Sequence, residues 1–307
     1  MDWNSPRISS LIERALNEDH ALADATTLLT VGVEQLAQAE ILAKQDCVLS
    51  GLGLVPRVFE LYASMSLKAG HRERLPAVVV TSHPEVFDGV RLRAGQTIAV
   101  LRGPARPLLS CERVTLNLLQ RLSGIATLTR QYVDQVKGLA VRILDTRKTA
   151  PGMRALDKYA VTCGGGFNHR SDLSDAILIK NNHIRLAGGI TPALARARAR
   201  RNPNQLIEIE VRSQEEIEPA LAGGADRLLL DNMTPDQVRA AIAVITGMVK
   251  DGQPPVPIEL SGGVRLPTIR AYAETGAQFI SVGALTHSAP AVDLSMRIVP
   301  VGGVSSL

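Results

Sequence analysis

From Ala140 onward the chain repeats one pattern. A short apolar run ends in polar or glycine chemistry, and a helical stretch follows. The runs sit in VRILDTRK, AILIKNNH, LIEIEV, RLLLDNM, PIELSGGV and FISVGAL. Runs that stay apolar without alternation suit strands buried on both faces of a parallel sheet. The stretches between them, TPALARARARR, SQEEIEPALAGG, TPDQVRAAIAVITGMV and LPTIRAYAETG, have helical spacing. Successive β-α units of this size predict a parallel α/β architecture. A barrel is preferred over an open doubly wound sheet, because every run ends in polar or glycine chemistry at its C-terminal side, where barrel enzymes place their sites. Six clear strands leave this barrel short of eight.

The first third has a different texture. Ser5-Pro6 offers a helix start with proline at the first helical position, and Ile8, Leu11, Ile12, Ala15 and Leu16 follow helical spacing. AEILAKQDCVLSG, AVVVTSHPEVF and the glycine-bearing DGVRLRAGQTIAVLRGPARP predict a small sandwich-type sheet, with LVPRVFELYASM as a helix between strands. LLSCERVTLNLLQRLSGIATLTRQYVDQVKG lacks proline and predicts two helices, or one bent near Ser123-Gly124. The domain boundary is expected between Arg106 and Gly124, and the tail after His287 is expected to pack back on the first domain.

Composition narrows the function. The 307 residues are 45% hydrophobic and 21% charged, which excludes a disordered or fibrous chain. One Trp, four Tyr and four Phe are too few for a base-stacking surface. The net charge of +4 suits an anionic small molecule at least as well as nucleic acid. Cys47, Cys111 and Cys163 are odd in number and widely spaced, against a disulfide framework or a zinc site. The N-terminus has no apolar signal region and no run nears 18 apolar residues, so a soluble cytoplasmic protein without a membrane span is expected.

Cations gather at the predicted strand ends. Arg147 and Lys148 follow the first run; His169 and Arg170 lie in the loop after Cys163-Gly164-Gly165-Gly166; Lys180 ends the second run. Like charges brought to one mouth repel unless an anion joins them, and arginine's planar fork matches carboxylate or phosphate. The triple glycine is either a turn or a backbone cradle for an anion. Glu208 and Glu210 alternate and so face one side of their strand, and Asp231 ends another. Carboxylates beside phosphates fit a Mg²⁺ ion that keeps most of its waters, or ribose hydroxyls. Ser261-Gly262-Gly263 and Gly283 offer backbone donors for a terminal phosphate after the last two strands. The arginines around Arg196 to Arg201 point to more than one helical face and read as solvated surface.

Taken in order, Asp145-Thr146-Arg147-Lys148-Thr149-Ala150-Pro151-Gly152, Asn168-His169-Arg170 and Leu178-Ile179-Lys180-Asn181-Asn182-His183 resemble the quinolinate phosphoribosyltransferase family. The resemblance extends over nearly the whole chain, through Glu112-Arg113, Ser123-Gly124-Ile125-Ala126-Thr127, Leu230-Asp231-Asn232-Met233, Ser261-Gly262-Gly263 and Ser281-Val282-Gly283. It implies an N-terminal α/β sandwich, residues 1–115 joined by the tail 288–307, and an incomplete six- to seven-stranded parallel α/β barrel, residues 116–287. It implies a homodimer in which Arg113 reaches the partner's site. The implied reaction joins quinolinate to 5-phosphoribosyl-1-pyrophosphate with Mg²⁺ and releases nicotinate mononucleotide, pyrophosphate and carbon dioxide, in de novo NAD biosynthesis. On the same grounds Arg147, Arg170 and Lys180 bind the quinolinate carboxylates beside His169, and Thr146 orients the ring. Lys148 meets the phosphoribosyl substrate, Glu210 and Asp231 hold its ribose or metal side, and Ser261, Gly262, Gly263 and Gly283 take the 5′-phosphate. Lys148, Lys180, Glu210 and Asp231 form the implied catalytic set.

Three positions depart from the family pattern. Asn181 and Arg212 stand where acidic residues are common, and Ala23-Asp24-Ala25-Thr26-Thr27 replaces a glycine-led motif. The first two remove negative charge near the mouth. Two rival functions fit less of the chain. An aldolase-type lyase would use Lys180 as a Schiff base but leaves Arg147, Arg170 and Arg113 without a role. A non-catalytic nucleotide-binding paralog would bind these ligands without turnover.

Overall fold

The computed structural model describes residues 1–70, 76–248 and 255–301. The chain divides into two compact units: Met1–Leu128 with Pro151–Gly164 and Ala289–Leu307, and Thr129–Ala150 with Gly165–Ser288.

The first unit is built on an antiparallel sheet. Its strands are β1 (Leu36–Ala43), β3 (Val79–Thr81), β5 (Thr97–Pro104) and β12 (Leu294–Pro300), ordered β12-β1-β5-β3. The short β2 (Cys47–Val48) and β4 (Arg91–Leu92) pair separately. β1 alternates cleanly: Ala37, Ala39, Ile41 and Ala43 are buried, and the residues between them are not. That period of two is what one packed and one wetter face requires. β12 comes from the tail and pairs with β1 from Ala37↔Pro300 to Ala43↔Leu294. The tail therefore closes the sheet of this unit, as its lack of a β-α unit suggested.

Helices cover the sheet. Pro6–Glu18 begins at the predicted proline and buries Ile8, Ile12 and Leu16, one residue per turn; the Ser5 hydroxyl makes no capping bond. Leu54–Lys68 is the helix predicted between the strands. The long helical segment resolves as Ala105–Ser110 followed by one continuous helix, Glu112–Gln135. The helical segment runs unbroken through Ser123-Gly124. A Cβ on Gly124 would collide with the Pro290 carbonyl oxygen, so the glycine admits the tail against the helix. Beside it, Ser123 Oγ accepts the Ser50 N–H at 3.1 Å and Thr127 Oγ1 accepts the Val48 N–H at 2.8 Å, satisfying a buried loop.

The expected boundary at residue 115 falls inside Glu112–Gln135, where hydrogen bonding is unbroken, and the units divide after Leu128 instead. The helix Arg154–Cys163 also belongs to the first unit rather than to the barrel. Specific contacts explain this. Arg121 forks onto the fully buried Asp157 at 3.0 and 2.8 Å. The Tyr159 hydroxyl donates to Asp88 Oδ2 at 2.6 Å, and its ring meets Trp3 edge-on at 5.1 Å between centroids. Burial and Asp88 together hold the Tyr159 hydroxyl far above its ordinary range.

The second unit is a parallel sheet of six strands: β6 (Arg142–Leu144), β7 (Ile177–Ile179), β8 (Ile207–Val211), β9 (Arg227–Asp231), β10 (Ile258–Ser261) and β11 (Phe279–Ser281), ordered β6-β11-β10-β9-β8-β7. Each comes from one of the six apolar runs. Every residue of β8 is buried, as a strand covered on both faces demands. Phe167 adds a stub of a seventh strand: it bridges Leu144 in parallel, its N–H donating to Ile143 O at 2.8 Å while Asp145 N–H donates to Phe167 O at 3.0 Å. The sheet is thus barrel-like and incomplete. At the strand starts, the Arg142 guanidinium lies 5.0 Å over the Phe167 ring and Arg227 lies 4.2 Å over Phe279. These cation–π pairs line a cavity of about 350 Å³ at that end. No helix among the described residues is long and apolar enough to cross a membrane.

Candidate active site

Inward positions recur every second residue along these strands, so the strand C-termini deliver side chains to one mouth. A cleft of about 520 Å³ opens there. It is lined by Thr146, Arg147, Lys148, His169, Arg170, Lys180, Glu210, Asp231, Ser261, Gly262, Gly263 and Gly283. Every site residue expected from the sequence is among them except Arg113. Arg113 is exposed on the helix Glu112–Gln135 and belongs to the first unit.

The cations are held individually. Arg170 is part-buried, and its Nη1 donates to Ala176 O at 3.0 Å. Burial and then the neighbouring Arg147 charge lower its pKa from the ordinary value. A guanidinium whose charge is disfavoured by a second one beside it marks a place for an anion. Lys180 ends β7 at the start of the helix Asn181–Ala187, where its N–H donates to His183 Nδ1 at 2.9 Å. Lys148 packs over Gly283: a Cβ there would sit 2.9 Å from Lys148 Cδ and 3.2 Å from the His287 ring. Thr286 Oγ1 donates to Lys148 O at 2.9 Å, and Lys148 N–H donates to Thr146 Oγ1 at 3.1 Å, so this loop is fixed at both ends.

The glycine turn after β10 is shaped by close approach. Gly262 has φ +95° and Gly263 φ +65°, and a Cβ on Gly262 would strike Asn232. Asn232 is itself left-handed, at φ +58°; its N–H donates to Ser261 O at 2.8 Å and its Nδ2 to Asp231 Oδ2 at 2.8 Å. The triple glycine Gly164-Gly165-Gly166 does not line the cleft. Gly164 caps the helix Arg154–Cys163 and Gly165 turns the chain at φ +88°, so it serves as a turn.

Beneath the cleft lies a buried cluster that the sequence only half revealed. His169 Nε2 is 3.0 Å from Glu208 Oε2 and 3.4 Å from Glu259 Oε1. Arg227 Nη1 donates to Glu259 Oε2 at 3.2 Å. Asp145, fully buried, accepts the His169 N–H at 2.9 Å and holds the segment in place. Nδ1 of His169 accepts the Arg170 N–H at 2.8 Å, which puts the ring proton on Nε2, facing the carboxylates. Burial opposes charge on this ring, but the hydrogen bonds and charges of Glu208 and Glu259 outweigh it and push it up to about 9. Burial also raises the Glu208 carboxyl. Nε2 and the two carboxylates it faces hold the extra proton together as one cluster.

Glu259 was hidden in the run PIELSGGV, where it reads as one polar break in an apolar strand. Its signal was the alternation that places it on the same face as Ser261. Arg212, Arg265, Ser281 and His287 also line the cleft; Arg212 continues the 208, 210 alternation onto the rim.

Two groups of side chains could hold a metal. His169, Glu208 and Glu259 offer atoms within 4.8 Å of one another, but Arg227 and the ring proton already compensate these carboxylates. Glu210 and Asp231 are the better fit for Mg²⁺: both are hard oxygen donors, their side chains are 8% and 15% exposed, and one guanidinium, Arg212, reaches both.

Comparisons with known proteins agree with this geometry. The family description "Quinolinate phosphoribosyl transferase, N-terminal domain" matches residues 24–123, and "Quinolinate phosphoribosyl transferase, C-terminal domain" matches residues 125–297. The probable nicotinate-nucleotide pyrophosphorylase (carboxylating) of Bacillus subtilis is 39% identical over 96% of this chain and 94% of its own. The nicotinate-nucleotide pyrophosphorylase (carboxylating) of Mycobacterium leprae is 38% identical over 94% and 95%. The solved structure of NadC from Streptococcus pyogenes matches with a TM-score of 0.87 and 37% identity, over 98% of this chain and 100% of that one. The chain belongs to the quinolinate phosphoribosyltransferase family, the carboxylating nicotinate-nucleotide pyrophosphorylases.

Proposed function

We infer that the cleft transfers the phosphoribosyl group of 5-phosphoribosyl-1-pyrophosphate to quinolinate and decarboxylates the product, yielding nicotinate mononucleotide, pyrophosphate and carbon dioxide for NAD biosynthesis. The observation that carries this is the pairing of Arg147 and Arg170 with Lys180 in one cleft that the Gly262-Gly263 turn and Gly283 also line. A pyridine dicarboxylate supplies the two negative charges that the cations demand, and a sugar phosphate suits the glycine-lined side.

In this reading Arg147, Arg170 and Lys180 clamp the two carboxylates beside His169, and Thr146 meets the ring. The pyridine nitrogen then faces the anomeric carbon. Its lone pair forms the new C–N bond as the C–O bond to pyrophosphate breaks. The ribose passes through a cationic, oxocarbenium-like state, which Glu210 and Asp231 stabilise electrostatically. Lys148 neutralises charge on the phosphoribosyl substrate. As the 2-carboxylate departs as carbon dioxide, the electron pair of the broken C–C bond stays on C2, stabilised by the adjacent cationic ring nitrogen, and C2 then takes a proton from water to give nicotinate mononucleotide. No protein nucleophile takes part; positioning and charge neutralisation supply the rate. Glu210 and Asp231 would hold Mg²⁺, which would offset the charge on the leaving pyrophosphate.

The same reading makes the protein a homodimer with Arg113 of one copy serving the other's cleft. Its support is that Arg113 is exposed and lies outside the residues lining the cleft of its own chain. A cytoplasmic setting fits three cysteines that form no disulfide. The test is one assay: protein, quinolinate, phosphoribosyl pyrophosphate and Mg²⁺, following carbon dioxide and nicotinate mononucleotide together. Matched release of both is expected. Quinolinate binding without either product would overturn the catalytic reading in favour of a binding paralog.

A further inference from the structure

Arg212 lies across the two carboxylates at the cleft rim. Its place follows from strand period: 208, 210 and 212 share a face, and Arg212 is the first residue beyond β8. Its backbone is anchored there, the N–H donating to Glu216 Oε2 at 2.7 Å. Its guanidinium Nε donates to Glu210 Oε1 at 3.1 Å, Nη2 is 2.9 Å from the same oxygen, and Nε is 3.8 Å from Asp231 Oδ2. The two carboxylates are nearly buried, while the Arg212 side chain is 49% exposed. This asymmetry matters. Water can resolvate the guanidinium if it swings away, whereas the carboxylates would be left as two close anions needing another cation.

We propose that Arg212 is a displaceable internal counter-ion that competes with the divalent cation for Glu210 and Asp231, and so sets how much Mg²⁺ the mouth requires. Its single charge screens the pair before the metal arrives, and it must leave the carboxylates for a hydrated divalent ion to reach them. Once displaced, it stays at the rim, within reach of the phosphates that accompany the metal. The proposal rests on the reading of Glu210 and Asp231 as the metal-facing pair.

The test uses the whole protein without substrate and Mn²⁺ as the probe, with the free ion followed by electron paramagnetic resonance. Arg212→Gln is expected to bind Mn²⁺ about tenfold more tightly than the parent, about 1.4 kcal/mol, whereas Arg212→Lys stays near the parent. In a Glu210→Gln, Arg212→Gln double variant the gain is expected to vanish. Equal affinity in parent and Arg212→Gln, or no measurable binding in either, overturns the proposal. So does a gain that survives Glu210→Gln, because the ion would then sit elsewhere, as at His169, Glu208 and Glu259. The readout needs no turnover. A protein that makes no nicotinate mononucleotide yet shows the Mn²⁺ gain would defeat the functional reading and leave this inference standing.

Discussion

Arg147 and Lys180 occupy the same cleft and answer to different physics. Arg147 offers a planar fork that can hold a carboxylate through two parallel hydrogen bonds, and Lys180 offers a point charge at a strand end. In the proposed reading, removing either leaves a substrate charge unpaired in a partly desolvated site, which costs roughly 3–5 kcal/mol in comparable buried pairs. Arg147→Ala and Lys180→Ala should therefore lower kcat/KM by at least about a hundredfold, with circular dichroism and Tm near the parent. Near-parental turnover in either variant would remove that residue from the site. Arg147→Lys should recover little, because the fork is lost while the charge remains. His169 makes a separate prediction. Its folded-state pKa of about 9 lies above its ordinary 6.5: burial opposes the charge, and the hydrogen bonds and charges of Glu208 and Glu259 outweigh it. The stabilisation this gives is complete below about pH 6.5 and is lost as pH rises through about 9, on the order of 3 kcal/mol in all. Denaturant unfolding of parent and His169→Gln across pH 6 to 10 should show a decline in the parent that the variant lacks. Parallel curves would mean the cluster holds no extra proton.

At the scale of elements, Gly124 separates two explanations that look alike in sequence. In a plain helix interior, glycine to alanine stabilises by about 1 kcal/mol. Here the added methyl meets the Pro290 carbonyl, so Gly124→Ala should destabilise instead, by about 1–3 kcal/mol for an overpacked contact. A higher Tm in Gly124→Ala would restore the bend as the reason for the glycine. The same residue shows why parts of this fold could be read in advance and others could not. The six barrel strands were legible because burial on both faces leaves short runs that are mostly apolar. Glu210 and Asp231 were legible because they break those runs at the C-terminal end, where chemistry gathers. A glycine carries no mark that distinguishes a bend from a close approach, since the neighbour that needs the space, Pro290, is 166 residues away. The helix Arg154–Cys163 looked like part of the barrel because it sits between two barrel runs. Its allegiance depends on Arg121, Asp88 and Trp3, all distant in sequence. Glu259 is not legible in the sequence, because a buried acid is recognisable only once its partners, His169 and Arg227, are known.

At the scale of the whole molecule, the missing member of the cation set decides how many chains make one site. The cleft brings together every expected residue but Arg113, which is exposed on the first unit's long helix. If a second copy supplies it, each dimer holds two sites, each built from both chains. A variant lacking Arg113 and a variant lacking Lys180 then fail for complementary reasons. In a mixed dimer of Arg113→Ala with Lys180→Ala, one site carries both lesions and the other carries neither. Mixed at equal amounts and allowed to exchange, half of the dimers are heterodimers with one intact site of two, so activity should rise from near zero toward about a quarter of the parent's. Exchange must be shown independently, by mass spectrometry of differently tagged chains. Full exchange without recovered activity would place Arg113 outside the site and make each chain's cleft self-sufficient. Recovery would make dimerisation a condition of catalysis, so that specific activity falls on dilution below the dimer's dissociation constant.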